Sequence, residues 1–474
     1  MKFEKLKVFT VLVAIIVSSL NTIKGQSKKN QKPNVLFIMV DDMNDWVGAF
    51  GGNPQALTPN MDKLAAKSTV FKNAYCSAAL CNPSRTSMLT GYQPFTTGVY
   101  GNVEVFRKIK GFENTVTLPQ YFAKNGYKTA AAGKIFHNPR GTKPEPKEGS
   151  DPGSFQEEHK GGLGTPYPKQ RFQNGLNFKR AGVKGSKTKS FDWGPVDVAD
   201  EKTPDWKSAD YAANFLQKNH DKPFFLACGI FRPHLPLYAP KKYFDLFNED
   251  DIVLPEVLKN DLQDVGKIGS NWSGGKLHNE ILLNKKWKSA VRGYLASLAF
   301  ADACVGHVLD NLNNSNYKDN TIIVLMGDHG WHLGEKEHWS KQTLWEESAK
   351  TPLIIFDPRN KSKSVSVRTV SLIDIYPTLI ELCNLPKKDD LDGHSFKHLV
   401  ANPEGDWQHS ALTTKGLGNH SLRNENYRYI VYSDGFEELY DHRIDPMEWY
   451  NIANNKQNIK VLEGFRKELK ALLN

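Results

Sequence analysis

The sequence predicts an α/β fold in which a large, mostly parallel sheet lies between helices, followed by a small C-terminal part with an antiparallel sheet and one helix. Short, continuously apolar segments of strand length alternate with segments that repeat apolar residues at helical spacing. This alternation is typical of parallel strands that are buried on both faces. Past about residue 390 the pattern changes to short alternating stretches and a final helical segment. The two patterns predict the two parts of the fold.

The elements of the larger part follow one another along the chain. Strands are predicted at residues 34–40, 128–132, 223–230, 321–326 and 352–356, and helices at 58–68, 84–89, 118–125, 210–219 and 286–312. Thr58 and Pro59 suit the N-cap and the first position of their helix. Residues 138–207 are rich in glycine, proline and charge with little periodicity, which predicts long loops that could wall a binding site.

Acidic residues end two of the predicted strands. Asp41 and Asp42 follow the first strand directly, and Asp328 and His329 follow the strand at 321–326. In open α/β sheets, ligands bind at the carboxyl ends of the strands. We therefore expect these four residues to converge, although an Asp-Asp pair after a strand is commonly only a turn or a helix cap.

The N-terminus predicts export. Lys2, Lys5 and Lys7 precede an apolar run at residues 8–20, which is shorter than the roughly 20 residues that span a bilayer as a helix. Residues 1–25 are therefore interpreted as a signal peptide, with a periplasmic or secreted mature chain and no later membrane span. We expect a catalytic domain at 26–390 and a C-terminal subdomain at 391–474.

The composition only partly limits the classes of molecule that the protein could bind. The formal net charge is +10, so the field of the protein attracts anions such as nucleic acid, acidic polysaccharide or an anionic membrane. No recognition-module motif accompanies the charge, which argues against nucleic-acid binding.

The five cysteines are an odd number, so at least one is unpaired. Cys228 and Cys304 lie in apolar segments, whereas Cys81 lies among Asn, Pro, Ser and Arg.

The segment from Cys81 to Gly91 reads C-N-P-S-R-T-S-M-L-T-G and matches the pattern C-x-P-S-R-x-x-x-x-T-G. The chain thereby resembles the type I sulfatases. Further matching segments begin at Asn34, Thr58, Gly133, Arg232, Gly327 and Leu439, and several are most similar to the iduronate sulfatase branch. The resemblance implies an alkaline phosphatase-like sandwich. It also implies a maturation enzyme that converts Cys81 to formylglycine (3-oxoalanine), whose hydrated aldehyde attacks the sulfate ester.

The resemblance implies a site for one calcium ion, whose ligands would be Asp41, Asp42, Cys81, Asp328 and His329. Carboxylate oxygens are the ligands that calcium and magnesium prefer. The imidazole also suits softer metals.

The same resemblance implies roles for several basic side chains. Lys134 and His137 would contact the formylglycine and the sulfate, and Lys341 would hold a sulfate oxygen. Arg85 would orient the diol. His234 would protonate the leaving alcohol, which a histidine can do near neutral pH.

Two further histidines, His332 and His338, follow the metal segment and are possible substrate contacts. The leading interpretation is a sulfatase that acts on a sulfated carbohydrate, of which an algal polysaccharide such as ulvan is one example. One alternative is a phosphate or phosphonate monoester hydrolase of the same superfamily. The other is a non-catalytic protein that binds anionic glycans.

Overall fold

A computed structural model describes residues 32–137, 151–159, 161–182, 184, 190–360 and 363–473. Its strands are β1 (Asn34–Val40), β2 (Thr69–Tyr75), β3 (Lys128–Gly133), β4 (Glu157–His159), β5 (Trp193–Val196), β6 (Phe224–Ile230), β7 (Leu237–Pro240), β8 (Thr321–Gly327), β9 (His332–Leu333), β10 (Trp339–Ser340), β11 (Leu353–Phe356), β12 (Ser364–Ser371), β13 (Ala411–Thr414), β14 (His420–Arg423), β15 (Tyr427–Val431) and β16 (Glu437–Asp441). Its α-helices are Pro59–Ala65, Cys81–Thr90, Pro94–Thr97, Leu118–Lys124, Pro204–Leu216, Lys241–Phe244, Lys267–Ser273, Lys276–Leu283, Trp287–Asn313, Glu346–Ala349, Ile375–Leu382, Lys397–Ala401 and Ile459–Leu473.

The large sheet has eight strands in the order β12-β2-β11-β8-β1-β6-β3-β4. β11 runs antiparallel to β2 and β8, and the other strand pairs of this sheet are parallel. The mostly parallel sheet predicted from the sequence is thus confirmed. Because β1, β3, β6 and β8 run in the same direction, the segments that follow them meet at one edge of the sheet.

The sheet is buried on both faces, as the continuous apolar run of β1 predicts. Leu36, Ile38 and Val40 pack into a core with the helices Pro204–Leu216 and Trp287–Asn313. The alternate residues of the strand belong to a second core on the opposite face, to which the helices Cys81–Thr90 and Ile375–Leu382 contribute. The predicted sandwich of helices around the sheet is therefore present.

The C-terminal antiparallel sheet has the order β13-β14-β15-β16. The last helix covers this sheet with Leu462, Phe465 and Leu469, which pack on apolar side chains of all four strands. The predicted antiparallel sheet with one helix is confirmed. The proposed boundary between residues 390 and 391 stays a prediction.

Several features differ from the prediction or fall outside it. β2, β12 and the helix Ile375–Leu382 were not predicted, and the predicted loop region 138–207 contains β4, β5 and the start of a helix at Pro204. The predicted signal peptide lies outside the described residues. Among the helices that the structure describes, none is long and apolar enough to cross a membrane. All five cysteines lie in described segments and are buried with free thiols.

Candidate active site

Cys81 is the first residue of the helix Cys81–Thr90, and its side chain faces the edge where the parallel strands end. Pro83 lies in the first turn of this helix, where its missing N–H costs no helical hydrogen bond. Cys81 is 1 % exposed. Its Sγ lies 2.9 Å from Lys341 Nζ and 3.4 Å from His329 Nε2. The thiol is therefore enclosed by residues that come from distant parts of the chain.

Arg85 lies four residues after Cys81, so both side chains project from the same face of the helix. The guanidinium is fully buried, with its Nε 2.8 Å from Asp328 Oδ2 and its Nη2 2.9 Å from Asp41 Oδ1. Its Nη1 donates to the carbonyl of Lys134 at 2.5 Å. One side chain thus ties the nucleophile helix to the carboxyl ends of β1, β3 and β8.

Asp41 is paired with two cations. Lys134 Nζ lies 2.6 Å from its Oδ2, and Arg85 holds the other oxygen. Burial by itself would raise the pKa of Asp41, but Lys134 and Arg85 together hold that pKa well below 3.8. Asp41 is therefore a permanent carboxylate.

The charge of Asp42 is neutralised less completely than that of Asp41. Its Oδ1 contacts Lys341 Nζ and lies 3.4 Å from His329 Nε2, but its Oδ2 is buried and has no hydrogen-bond partner among the described residues. Burial raises the pKa of Asp42 to about 7, and the negative charge of Asp41 adds to the effect while Lys341 opposes it. A buried carboxylate oxygen without a partner is costly unless a cation or a donor reaches it.

The ligand atoms present fit a divalent cation. Asp41, Cys81, Asp328 and His329 each offer an atom within 4.8 Å of the others, and a second group joins Asp41, Asp42 and Cys81 with His234. The ring of His329 is oriented by a contact of 3.0 Å between its Nδ1 and the carbonyl of Gly330. With the proton on Nδ1, its Nε2 lone pair faces the carboxylates. These residues form a candidate metal site of mostly hard oxygen donors.

His234 lies in the turn after β6, beside the cluster. Its Nδ1 is 2.7 Å from the carbonyl of Leu235, and its Nε2 is 3.8 Å from Asp42 Oδ2. Arg232 Nη1 donates to the carbonyl of His234 at 2.5 Å and holds the turn. Burial and the charge of Lys341 lower the pKa of His234 well below 6.5, so the ring is neutral in this state. Its side chain keeps 23 % of its surface exposed, which leaves Nε2 within reach of a bound molecule.

His137 follows β3 on the same edge of the sheet. Its Nδ1 is buried and has no partner among the described residues. Burial and the charge of Lys134 lower the pKa of His137 to about 3. The ring is therefore neutral, and its buried unpaired nitrogen can still take a hydrogen-bond partner.

His332 and His338 lie behind Lys341 rather than beside Cys81. His332 is fully buried, with its Nε2 2.9 Å from Thr343 Oγ1, and its ring meets that of His338 edge to face at 5.0 Å. The Nε2 of His338 lies 2.9 Å from the carbonyl of Lys341. Both histidines shape the turn that carries Lys341, and their predicted contact with the substrate stays a prediction.

Two polar residues near the cluster were not predicted from the sequence. Tyr294, on the long helix Trp287–Asn313, donates its hydroxyl proton to the carbonyl of Asp42, and Asn44, just after β1, donates its backbone N–H to the same hydroxyl. Tyr294 is separated from Asp42 by about 250 positions, and a single tyrosine on an apolar helical face has no signal that distinguishes it from a core residue.

Comparisons with known proteins agree with this geometry. A family model described as Sulfatase matches residues 33–385, and one described as N-sulphoglucosamine sulphohydrolase, C-terminal, matches residues 334–474. A protein named Sulfatase from Formosa agariphila is 39% identical over 99% of this chain and 92% of its own length. Human iduronate 2-sulfatase is 30% identical over 90% of this chain and 92% of its own length. An ulvan-active sulfatase from Formosa agariphila is 26% identical over 95% of this chain and 82% of its own length.

Two solved structures share the fold. A protein in complex with its substrate D-glucosamine-2-N,6-O-disulfate has a TM-score of 0.71 at 22% identity, covering 93% of this chain and 97% of the other. The phosphonate monoester hydrolase of Agrobacterium radiobacter has a TM-score of 0.71 at 22% identity, covering 93% of this chain and 95% of the other. At these identities the two structures establish the fold alone. The family match over most of the chain establishes more: the protein belongs to the type I sulfatases, with iduronate sulfatase-like relatives, and is a sulfuric ester hydrolase.

Proposed function

We propose that this protein removes sulfate esters from a sulfated saccharide, using a formylglycine made from Cys81 and one calcium ion. The observation that carries the proposal is the convergence at Cys81: its Sγ is 2.9 Å from Lys341 Nζ, and a buried oxygen of Asp42 close by lacks a partner. A nucleophile, cationic groups for an anion and an incompletely neutralised carboxylate thus share one site. The family match supports the same interpretation.

Asp41, Asp42, Asp328 and His329, together with the modified Cys81, would hold the calcium ion. When bound, calcium supplies positive charge that polarises sulfate oxygens and favours deprotonation of a hydroxyl group. Calcium is proposed over softer metals because three of the donors are carboxylates. Arg85 keeps Asp41 and Asp328 in place through its two ion pairs, so these ligands are ordered by the protein itself.

When Cys81 is oxidised to formylglycine, the hydrated aldehyde supplies a hydroxyl that attacks sulfur and a second hydroxyl whose deprotonation releases sulfate. Lys341 Nζ contacts Cys81 Sγ and Lys134 Nζ contacts Asp41, and His137 follows β3 at the same edge; these three residues are proposed to bind the sulfate oxygens. The N–H groups at the start of the helix Cys81–Thr90 add favourable interactions with an anion there.

His234 is proposed to protonate the oxygen of the leaving alcohol. Its Nδ1 donates its proton to the carbonyl of Leu235, so Nε2 is the nitrogen available to the substrate. Because the ring is neutral without substrate, Nε2 must first take up a proton, which the negative charge of a bound sulfate ester favours, and it then passes this proton to the leaving oxygen. An acid must lie within hydrogen-bond reach of the atom that it protonates. The exposed side of this ring is the part of the site where the sugar would enter.

The substrate is proposed to be a sulfated polysaccharide of algal type, such as ulvan, or one of its oligosaccharides. The net charge of +10 attracts a polyanion, and one relative is named an ulvan-active sulfatase. We also propose that residues 1–25 direct export to the periplasm or the medium, and that a maturation enzyme modifies Cys81.

The same fold supports a second candidate, hydrolysis of a phosphate or phosphonate monoester, since a phosphonate monoester hydrolase shares it. Phosphatases of this superfamily usually assemble two metal ions in their active site. The two donor groups found at Cys81 in the described residues share Asp41 and Cys81, so they form one site and favour sulfate. A glycan-binding protein without turnover is the third possibility that the experiment must separate.

The test is sulfate release from a panel of sulfated oligosaccharides, including ulvan fragments, run beside hydrolysis of phosphate and phosphonate monoesters, with calcium and after chelation. Cys81→Ala is compared with Cys304→Ala, which removes another buried thiol in the core away from the site. We expect release by the wild type and by Cys304→Ala but not by Cys81→Ala, and a fall on chelation. The mass of the Cys81 peptide reports the aldehyde. Modified protein that releases phosphate but no sulfate would support the second candidate, and binding without either release would support the third.

A further inference from the structure

The backbone of Asp42 adopts a conformation that side chains other than glycine rarely take. Its φ is 61°, in the left-handed region, where Asp and Asn are better tolerated than most residues. This twist turns the chain sharply at the end of β1. Such a conformation persists only when the surrounding structure holds it.

The hydroxyl of Tyr294 holds this turn. It accepts a hydrogen bond from the backbone N–H of Asn44 at 2.9 Å, and it lies 2.9 Å from the carbonyl of Asp42 and 3.0 Å from Asn44 Oδ1. Burial raises the pKa of Tyr294 well above 10, so its proton remains available to donate. The hydroxyl therefore closes the turn on both sides of residue 43.

Asn44 extends the contact to the second metal-binding segment. Its Nδ2 donates to the carbonyl of Trp331 at 3.2 Å, and Trp331 follows His329 by two residues. The ring of Trp331 stacks against that of Tyr294 with centroids 6.5 Å apart. Lys341 Nζ lies 5.6 Å from the Trp331 ring. The segments after β1 and β8 are thus connected by one buried set of contacts.

We propose that Tyr294 and Asn44 act as a brace that sets the relative positions of Asp42 and His329 and thereby the affinity of the site for a divalent cation. Both are positioning residues, since neither offers a ligand atom to the cation. The proposal rests on the metal site of the proposed function. It adds two residues that determine how well that site is organised before the cation arrives.

The aromatic ring and the hydroxyl of Tyr294 can be separated experimentally. The ring packs edge to face on Trp46 at 5.8 Å and is fully buried, so phenylalanine would retain the packing. Tyr294→Phe would leave the Asp42 carbonyl and the Asn44 N–H without their partner. The turn would then be free to relax, and Asp42 would spend less time in the orientation that the cation requires.

The experiment measures calcium binding to chelator-stripped protein by titration calorimetry. Tyr294→Phe is compared with Tyr127→Phe, whose buried hydroxyl donates to the carbonyl of Pro33 at the opposite end of β1. We expect at least a tenfold rise in the calcium Kd for Tyr294→Phe and a wild-type Kd for Tyr127→Phe, even if both variants lose similar thermal stability. Activity of Tyr294→Phe should recover when calcium is raised.

The outcomes separate the brace from the metal site. A wild-type Kd in Tyr294→Phe would overturn the brace while leaving the proposed metal site intact. Wild-type protein that binds no calcium would overturn both. If Tyr294→Phe does not fold, Asn44→Ala carries the same test, because it removes the contact to Trp331; a wild-type Kd in that variant would also overturn the proposal.

Discussion

The cluster at Cys81 and a second buried cluster at Arg428 both bring carboxylates and a histidine within ligand distance of one another. At Cys81, a carboxylate oxygen of Asp42 and a ring nitrogen of His137 are buried without partners among the described residues. Burial raises the pKa of Asp42 to about 7, and the charge of Lys341 offsets this only in part.

In the Arg428 cluster, by contrast, every carboxylate oxygen has a donor. Glu448 accepts from Arg428 Nε at 2.5 Å, from His442 Nε2 at 2.9 Å and from the backbone N–H of Glu346 at 2.8 Å. Glu346 accepts from Tyr75 at 2.9 Å and from Arg428. Burial would raise the pKa of Glu346, but the surrounding cations hold it well below 4.5.

The difference teaches how to tell a structural ion network from a binding site when both contain potential ligands. A network whose donors and acceptors are matched has nothing left to offer a ligand, so its effect is on stability. A cluster with unmatched polar atoms is less stable by itself and gains when a ligand supplies the missing partner. The next four predictions test this contrast.

The largest expected effect is on stability in the Arg428 cluster. Arg428→Met removes the cation that Glu346 and Glu448 share and breaks two buried ion pairs, although Arg423 and His442 remain nearby, so the free energy of unfolding should fall by about 3–5 kcal/mol. The kcat of the folded fraction should stay at the wild-type value. Denaturant unfolding measures the free energy of unfolding. The control Arg443→Met removes the solvent-exposed partner of Asp441 and should cost much less than Arg428→Met, because water screens such a pair. A loss of kcat with normal stability in Arg428→Met would assign this cluster to the active site.

In contrast to Arg428→Met, Asp42→Asn should lower turnover and leave stability nearly unchanged. Turnover should fall by a factor on the order of 10²–10³, the usual loss when one electrostatic group of a site is removed. The unfolding free energy of the chelated protein should change little, because burial raises the pKa of Asp42 to about 7, so the fold already disfavours its charge, and the amide oxygen of Asn can still accept from Lys341 Nζ. Glu448→Gln is the matched buried carboxylate and should retain its kcat while losing stability. Equal effects of both variants on kcat would contradict the contrast.

Calcium should stabilise the protein only through the Cys81 cluster. At a free concentration of about 100 times its Kd, a ligand that binds only the folded state adds about 2.7 kcal/mol to the free energy of unfolding. The wild type and Glu448→Gln should both show this gain, and Asp42→Asn should not. Thermal unfolding with and without chelator measures it. A gain that disappears in Glu448→Gln instead would place the ion in the other cluster.

The smallest effect concerns acid stability. A carboxyl group with a pKa depressed in the folded state stabilises the fold above its unfolded pKa, and this stability is lost as the pH falls through the folded pKa. For Glu346 the loss should therefore begin below about pH 4.5. Glu346→Gln should be less stable than the wild type near neutral pH and should show a flatter decline in acid. The unfolding free energy measured as a function of pH checks this, and parallel curves for both proteins would refute it.

The sequence predicted those parts of the site that have local signals. An apolar strand followed by an acidic residue identified Asp41 and Asp328, and the parallel sheet brings both to the same edge, where Arg85 joins them. β12 was missed because its sequence, Ser-Val-Ser-Val-Arg-Thr-Val-Ser, carries polar residues at the edge of the sheet. Edge strands commonly carry such residues, which weakens their apolar pattern.

The remaining parts depend on contacts between residues far apart in the chain. The left-handed turn at Asp42 is held by a hydroxyl from a distant helix, and neither segment predicts the other. Arg428 and Glu346 are likewise separated by 82 positions, and no local pattern in the sequence marks either residue. A residue pattern indicates which chemistry is present, but the matching of donors and acceptors is a property of the folded chain alone.

The enclosure of Cys81 sets a requirement on the order of events in biosynthesis. At 1 % exposure, the thiol in the folded chain is out of reach of another enzyme's active site. Under the proposed mechanism, oxidation must then happen before the chain folds. Folding and maturation become competing processes, and a molecule that folds first is stable but permanently inactive. The specific activity of a preparation would then depend on the relative rates of these two processes in the producing cell, and slowing folding would increase it.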